Sequence, residues 1–220
     1  NGNPVQYKVL QTNVKPGDFK FVDVNNDGVI NAFDRVRIGD PNPKFTYGLS
    51  INLEYGNFDL NAFLQGSYGN KIFNMLKVNI YTMNNGGLNV SPDLTDAYIP
   101  AIYNTADRNA LPTVISPARN ENTGMPRMDP DLSSSDFYVE DGSYMRLKNI
   151  QLGYTLPVTL TDRAHIKKLR VYIGAKNLFT ITKYTGFDPE VNETTILERG
   201  FDRGTYPQAR MYLLGINLMF

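Results

Sequence analysis

Tyr212-Leu213-Leu214-Gly215-Ile216-Asn217-Leu218-Met219-Phe220 is the stretch whose reading decides the fold. Tyr212, Leu214, Ile216, Leu218 and Phe220 alternate with Leu213, Gly215, Asn217 and Met219, and a period of two puts the first set on one face of a β-strand. Every residue of that face is large and apolar, whereas chain ends are ordinarily polar and frayed. Such a strand needs an apolar surrounding along its whole length, either the inside of a sandwich or lipid.

The same alternation recurs upstream. From Lys44 to Tyr55, Phe45, Tyr47, Leu49, Ile51, Leu53 and Tyr55 oppose Thr46, Gly48, Ser50, Asn52 and Glu54. Gly56-Asn57 then makes a two-residue turn. Phe58, Leu60, Ala62, Leu64 and Tyr68 continue the pattern against Asp59, Asn61, Gln65 and Ser67, with Phe63 as the exception. Arms of this length match the roughly 9–11 residues of a tilted membrane-crossing strand better than the about 5–6 of a soluble one. Further strands are expected over Ser143–Leu156, with Ile150, Leu152, Tyr154 and Leu156 on one face, over Lys168–Thr180, with Leu169, Val171, Ile173, Ala175 and Phe179, and over Ala209–Phe220. Ile72 to Tyr81 is compatible with a short helix.

Short links (Gly56-Asn57 and the turn around Asp162) alternate with long ones (70–140 and 181–206). In outer-membrane barrels short turns face the periplasm and long loops the outside, so the chain would end on the periplasmic side. Barrels have at least about eight strands, and open edges are not tolerated in lipid. The membrane reading therefore expects more strands before Asn1. A secreted sandwich remains the alternative.

Composition narrows the function classes. With 22 basic and 22 acidic side chains, no net field points to nucleic acid. Cysteine is absent, so disulfides and thiolate metal sites are excluded. The 14 tyrosines, 12 phenylalanines and 18 glycines lean towards β-structure with tight turns. His165 is the only histidine, in a turn beside Asp162 and Arg163, and no three-histidine zinc site or Cys/His pair can form. Asp188 and Glu190 flank Pro189 and could suggest paired-carboxylate hydrolysis, but their adjacency reads as a turn. Gly66 and Gly69 lack the strand–loop–helix frame of a phosphate loop. The chain is not expected to be an enzyme.

Asp23-Val24-Asn25-Asn26-Asp27-Gly28-Val29-Ile30-Asn31-Ala32-Phe33-Asp34 carries oxygen ligands at the first, third, fifth, ninth and twelfth positions and glycine at the sixth. That is the spacing of an EF-hand calcium loop. Asp23, Asn25 and Asp27 would converge on a hard cation, the Val29 carbonyl would supply the seventh-position ligand, and Asn31 and Asp34 would complete the set. Aspartate in the last position resembles dockerin-type loops and favours a weak, structural Ca2+ site that staples a loop. An Asn/Asp-rich turn that binds nothing is the bland alternative.

Several stretches, in order, resemble one family. They are Gly39-Asp40-Pro41-Asn42-Pro43-Lys44-Phe45-Thr46-Tyr47-Gly48 after the Asp-rich loop; Tyr138-Val139-Glu140-Asp141-Gly142-Ser143-Tyr144-Met145-Arg146-Leu147-Lys148-Asn149-Ile150; and Leu152-Gly153-Tyr154-Thr155-Leu156-Pro157. Asn177-Leu178-Phe179, Tyr184-Thr185-Gly186-Phe187-Asp188-Pro189-Glu190 and Tyr206-Pro207, leading to Phe220, complete the series. Together they resemble the C-terminal part of the barrel of SusC/RagA-type TonB-linked outer-membrane receptors. Phe187 and Met145 stand where relatives often show Tyr and Leu.

The resemblance implies an all-β chain forming the C-terminal strands of a large antiparallel transmembrane barrel of about 22 strands, with an N-terminal plug and TonB box that lie outside these residues. It also implies import of an oligosaccharide or peptide across the outer membrane, energised by TonB and assisted by a SusD-like surface lipoprotein. The apolar strand faces would meet outer-membrane lipid, Ser50, Asn52, Asn61 and Gln65 the lumen, and the two long loops the outside. A passive porin, or a secreted calcium-binding sandwich, would be the competing functions.

Overall fold

The computed structural model describes residues 10–81, 89–104, 113–127, 135–191 and 198–220. Its strands, in chain order, are β1 (Phe45–Tyr55), β2 (Phe58–Tyr68), β3 (Lys71–Asn74), β4 (Ile102–Asn104), β5 (Thr113–Ser116), β6 (Val139–Asp141), β7 (Tyr144–Thr155), β8 (Lys168–Lys176), β9 (Thr180–Thr182), β10 (Phe201–Asp202) and β11 (Met211–Met219). Two short helices, α1 (Met75–Ile80) and α2 (Val158–Thr161), accompany them. The chain divides into two compact units, Asn1–Ile38 with Leu76–Tyr138, and Gly39–Met75 with Val139–Phe220.

The second unit is built on one antiparallel sheet in the order β1-β2-β7-β8-β11, with β9 also pairing β7. Each strand neighbours the next long one in sequence, which makes it an up-and-down meander. Gly56, at a φ of +58°, turns β1 into β2, whose ladder runs unbroken from Tyr55 opposite Phe58 to Phe45 opposite Tyr68. A bend at Gly69 leads β2 into β3, and one at Gly142-Ser143 leads β6 into β7. β3 and β6 pair with each other there, and β10 lies parallel to β3 on its other edge.

Register turns the alternation of single strands into rows across the sheet. Leu53, Leu60, Leu152, Ile173 and Leu214 stand side by side, as do Tyr55, Phe58, Tyr154, Val171 and Ile216. Directly opposed residues share a face, so these rows form a continuous apolar surface. The other face carries Asn52, Asn61 and Gln151, then Glu54 and Asp59. Among the described residues nothing covers the apolar surface: Leu53 is 58% and Leu214 78% exposed. A self-contained sandwich would bury that face between two sheets.

Two irregularities depart from strict alternation. Phe63 pairs with Asn149 but Leu64 with Leu147, so Lys148 is an extra residue on β7. The bulge shifts the parity upstream of it and brings Arg146 and Tyr144 to the face that bears Gln65 and Ser67. The expected strand over Lys168–Thr180 is broken at Asn177, whose φ of +50° ends β8 at Lys176, and the chain resumes as β9 beside β7. The alternation through Ala175 therefore does not carry to Phe179. The helix considered over Ile72–Tyr81 is confined to Met75–Ile80, because Lys71–Asn74 is drawn into a ladder with β6.

The first unit holds the Asp-rich loop and much of the long segment before β6. Tyr81, Leu94 and Ala97 are buried, with Ile80, Met125 and Phe137 packed against them. The Phe137 ring lies 5.2 Å from that of Phe19, and Lys77 Nζ sits 4.1 Å from its centroid while donating to the Phe137 carbonyl. Asp18 pairs with Arg127. β4 and β5 pair antiparallel as a separate two-stranded sheet.

Candidate functional site

Three features of the chain could carry function: the two-faced wall, the Asp-rich loop and a cluster of buried charges. On the polar face of the wall, the Asp59 carboxylate on β2 reaches across β7 to the Arg170 guanidinium on β8, with an Nε–Oδ1 distance of 2.8 Å. The pair passes directly over Gly153, where an added Cβ would stand 2.4–2.5 Å from both groups. Glycine is thus required for a close approach. The Tyr172 ring lies over Gly215 in the same way, with Arg170 5.0 Å from its centroid. On the apolar face Tyr47 lies over Gly66 and donates to the Tyr144 carbonyl at 3.2 Å.

All six residues expected to hold calcium fall in one tightly closed loop. Gly28 N–H donates to Asp23 Oδ2 (2.8 Å), Asp27 N–H to Asn25 Oδ1 (3.0 Å) and Val29 N–H to Asp27 Oδ1 (2.8 Å). Asn31 caps the turn Ala32–Asp34 by accepting from Phe33 N–H, while its amide donates to the Val29 carbonyl. Asp34 closes the loop, accepting from Val24 N–H on one oxygen and Asn31 N–H on the other. The Asn31 N–H holds the Asp34 carboxyl below the usual range, against an opposing desolvation and with help from Val24. Gly28 sits at a φ of +78°, which is why glycine is needed at the turn.

The donor chemistry suits a hard cation, but these oxygens are engaged by the loop's own N–H groups. Among the described residues no group of three or more His, Cys, Asp or Glu is gathered to hold a metal. One oxygen stands apart: Asp23 Oδ1 is buried with no hydrogen-bond partner.

The charge cluster centres on Arg146, which is 2% exposed. Its Nε donates to Thr180 Oγ1 (2.7 Å), Nη1 to Glu190 Oε2 (2.7 Å) and Nη2 to Asp188 Oδ1 (2.6 Å). Lys148 Nζ, on the bulge, also binds Glu190 at 2.7 Å. Asp188 further accepts N–H groups from Gln208 and Glu190. Burial opposes its ionisation, but the Arg146 hydrogen bond and these N–H groups prevail and hold its carboxyl below the usual range. Buried Asp202 accepts from the Tyr184 hydroxyl (2.6 Å) and from Gly204 and Thr205 N–H. Burial, reinforced by Asp202, raises the Tyr184 hydroxyl well above its ordinary value. Glu140 accepts from the Thr185 N–H and hydroxyl and from the Asn74 amide.

Asp188 and Glu190 are thus brought together, as charge partners of Arg146 and Lys148 rather than as an acid–base pair. His165 sits in a left-handed turn position, at a φ of +58°. Sequence reasoning assigns no role to Arg146 or Asp202. The signal for the first is Arg146-x-Lys148 inside an apolar strand, which demands buried partners.

No family model matches the chain. TonB-dependent receptor P3 of Formosa agariphila is 36% identical over 214 residues, covering 93% of this chain and 19% of that protein. TonB-dependent receptor SusC of Bacteroides thetaiotaomicron is 28% identical over 218 residues, covering 98% of this chain and 19% of that protein. A structure of the RagAB peptide importer in its closed-closed state matches with a TM-score of 0.66 at 28% identity, over 87% of this chain and 19% of the other. The open-open state matches with a TM-score of 0.60 at 29% identity, over 81% and 17%. The chain therefore spans about a fifth of the length of the curated relatives it matches. These relatives are receptors and importers, not enzymes. By sequence and by fold alike, the chain belongs with the SusC/RagA-type TonB-dependent receptors.

Proposed function

We propose that this chain builds part of the wall of an outer-membrane β-barrel that actively imports a nutrient, an oligosaccharide or a peptide. The observation that carries the reading is the uncovered apolar surface formed in register across β1, β2, β7, β8 and β11, backed by a polar face. A surface of that extent is stable against lipid and not against water. The two edges, β1 and β11, would be paired by further strands to close a barrel of about 22, around a plug that TonB remodels. A SusD-like lipoprotein would cap the outer mouth, the end of the wall from which segments 70–140 and 181–206 arise, with the C-terminus in the periplasm. The RagAB importer handles peptides, which supports a peptide cargo here, while the glycan reading rests on the resemblance to SusC-type receptors.

In the first unit, the loop Asp23–Asp34 would take up Ca2+ as a staple through Asp23, Asn25, Asp27, the Val29 carbonyl, Asn31 and Asp34. Support comes from the oxygen-only donor set and the buried, unpartnered Asp23 Oδ1. The import reading is tested with the full-length receptor in cells offered labelled oligopeptide and oligosaccharide pools. Uptake that stops when a protonophore collapses the inner-membrane potential supports energised import. Uptake that continues unchanged identifies a porin.

A further inference from the structure

The segment between β9 and β11 takes an unusual route. It leaves β9, which pairs with β7 through Thr182 opposite Tyr144. It is next tied down as β10 on the far edge of β3, where Phe201 pairs with Phe73 and Asp202 with Asn74. It then returns, for Gln208 N–H donates to Asp188 and the Ala209 carbonyl accepts from the Asn177 amide. Residues 202–208, which lead from β10 back to Asp188, therefore cross the end of the sheet on one side. That side is fixed by Arg146, which the bulge turns to the polar face beside Gln65 and which is buried under Asp188 and Glu190.

We propose that residues 183–191 and 198–208 form a strap fastened across the inner wall of the barrel, a fixed constriction that limits the size of cargo admitted, with Arg146 as its anchor. The proposal rests on the membrane reading above, which makes the polar face the lumen. Its fastenings are those of a permanent structure. Asp188, Asp202 and Arg146 are each 2% exposed or less, and every one is held by several hydrogen bonds. Two cations, Arg146 and Lys148, meet two anions, Asp188 and Glu190, so the cluster is neutral as a whole, with Arg146 and Asp188 its buried centre. A loop that swings outward in each transport cycle would carry Asp188 and Glu190 away and leave buried Arg146 without its carboxylates, and stranding one buried charge of a pair is strongly unfavourable. Phe187, the chain neighbour of Asp188, is 63% exposed and would project from the strap into the passage.

The test uses the full-length receptor, freed of other cysteines, in intact cells treated with a small hydrophilic maleimide or a bulky polymer-linked one. Phe187→Cys is expected to react with the small reagent and not with the bulky one. Equal labelling by both would place residue 187 on an outward-facing loop and overturn the proposal. Arg146→Met in the same background is expected to admit the bulky reagent. Arg146→Met/Asp188→Asn keeps the cluster neutral and leaves the Lys148–Glu190 pair, so it serves if the single variant fails to assemble. If the bulky reagent stays excluded in an assembled variant, Arg146 is not the anchor. Leu53→Cys separates the two readings, since a lipid-facing residue reacts with neither reagent. Labelling there contradicts the membrane reading itself.

Discussion

Gly153 shows how a single residue type can be dictated by what passes over it. The Asp59–Arg170 pair spans three strands because the middle one offers no side chain at the crossing point. Gly153→Val is expected to displace both charged groups and cost about 1–3 kcal/mol from overpacking, before any loss of the pair. It would be read as a lower unfolding temperature of the detergent-solubilised receptor, and an unchanged one would contradict the crossing. At Asp23 the expectation concerns a ligand. If its unpartnered oxygen serves Ca2+, calcium in the range of about 10⁻⁴–10⁻³ M should slow hydrogen exchange across residues 23–34. Asp23→Ala should abolish that protection. No protection in the unmodified receptor would leave the loop a self-capped turn.

Among the elements, β1 offers the sharpest contrast between neighbouring residues. Ile51 lies in the apolar rows and Asn52 in the polar ones. Ile51→Arg is expected to cost roughly 2–4 kcal/mol near the bilayer midplane and to reduce assembled receptor. Asn52→Arg should be mild, so equal tolerance at both positions would count against the assigned faces. The segment that carries Asp188 adds a pH expectation. Its carboxyl is held below the ordinary value, so it stabilises the fastening above the unfolded value of about 3.9 and loses that contribution as pH falls through the folded one. Hydrogen-exchange protection of residues 183–191 should therefore persist through mild acid and fail only below about pH 4. Loss near neutrality would mean that another group governs the fastening.

The long strands were legible in the sequence because a period of two survives wherever both faces have fixed surroundings. Phe45–Tyr55, Phe58–Tyr68 and Met211–Met219 follow their expected spans closely. What the period does not reveal is a change of parity. The extra residue at Lys148 and the left-handed Asn177 depend on tertiary pairing, and both lie where the wall meets the charge cluster. The cluster was hidden for the same reason, since Arg146 and its partners lie 42 and 44 residues apart.

At the scale of the whole molecule, the second unit presents a sheet whose outer strands β1 and β11 have no further strand beside them among the described residues, and an apolar face that none of those residues covers. The claim that the uncovered face meets lipid organises everything else: the side on which the strap lies, the direction of the loops and the import function. It is tested most directly by nitroxide labels placed one at a time at positions 47 to 54 of β1, in the full-length receptor reconstituted into bilayers. Collisional accessibility to dissolved oxygen, which concentrates in lipid, should peak at Tyr47, Leu49, Ile51 and Leu53. Accessibility to a water-soluble nickel complex should peak at Gly48, Ser50, Asn52 and Glu54, or fall at both sets where the plug fills the lumen. Oxygen accessibility without a period of two, or with the two sets reversed, would contradict the account.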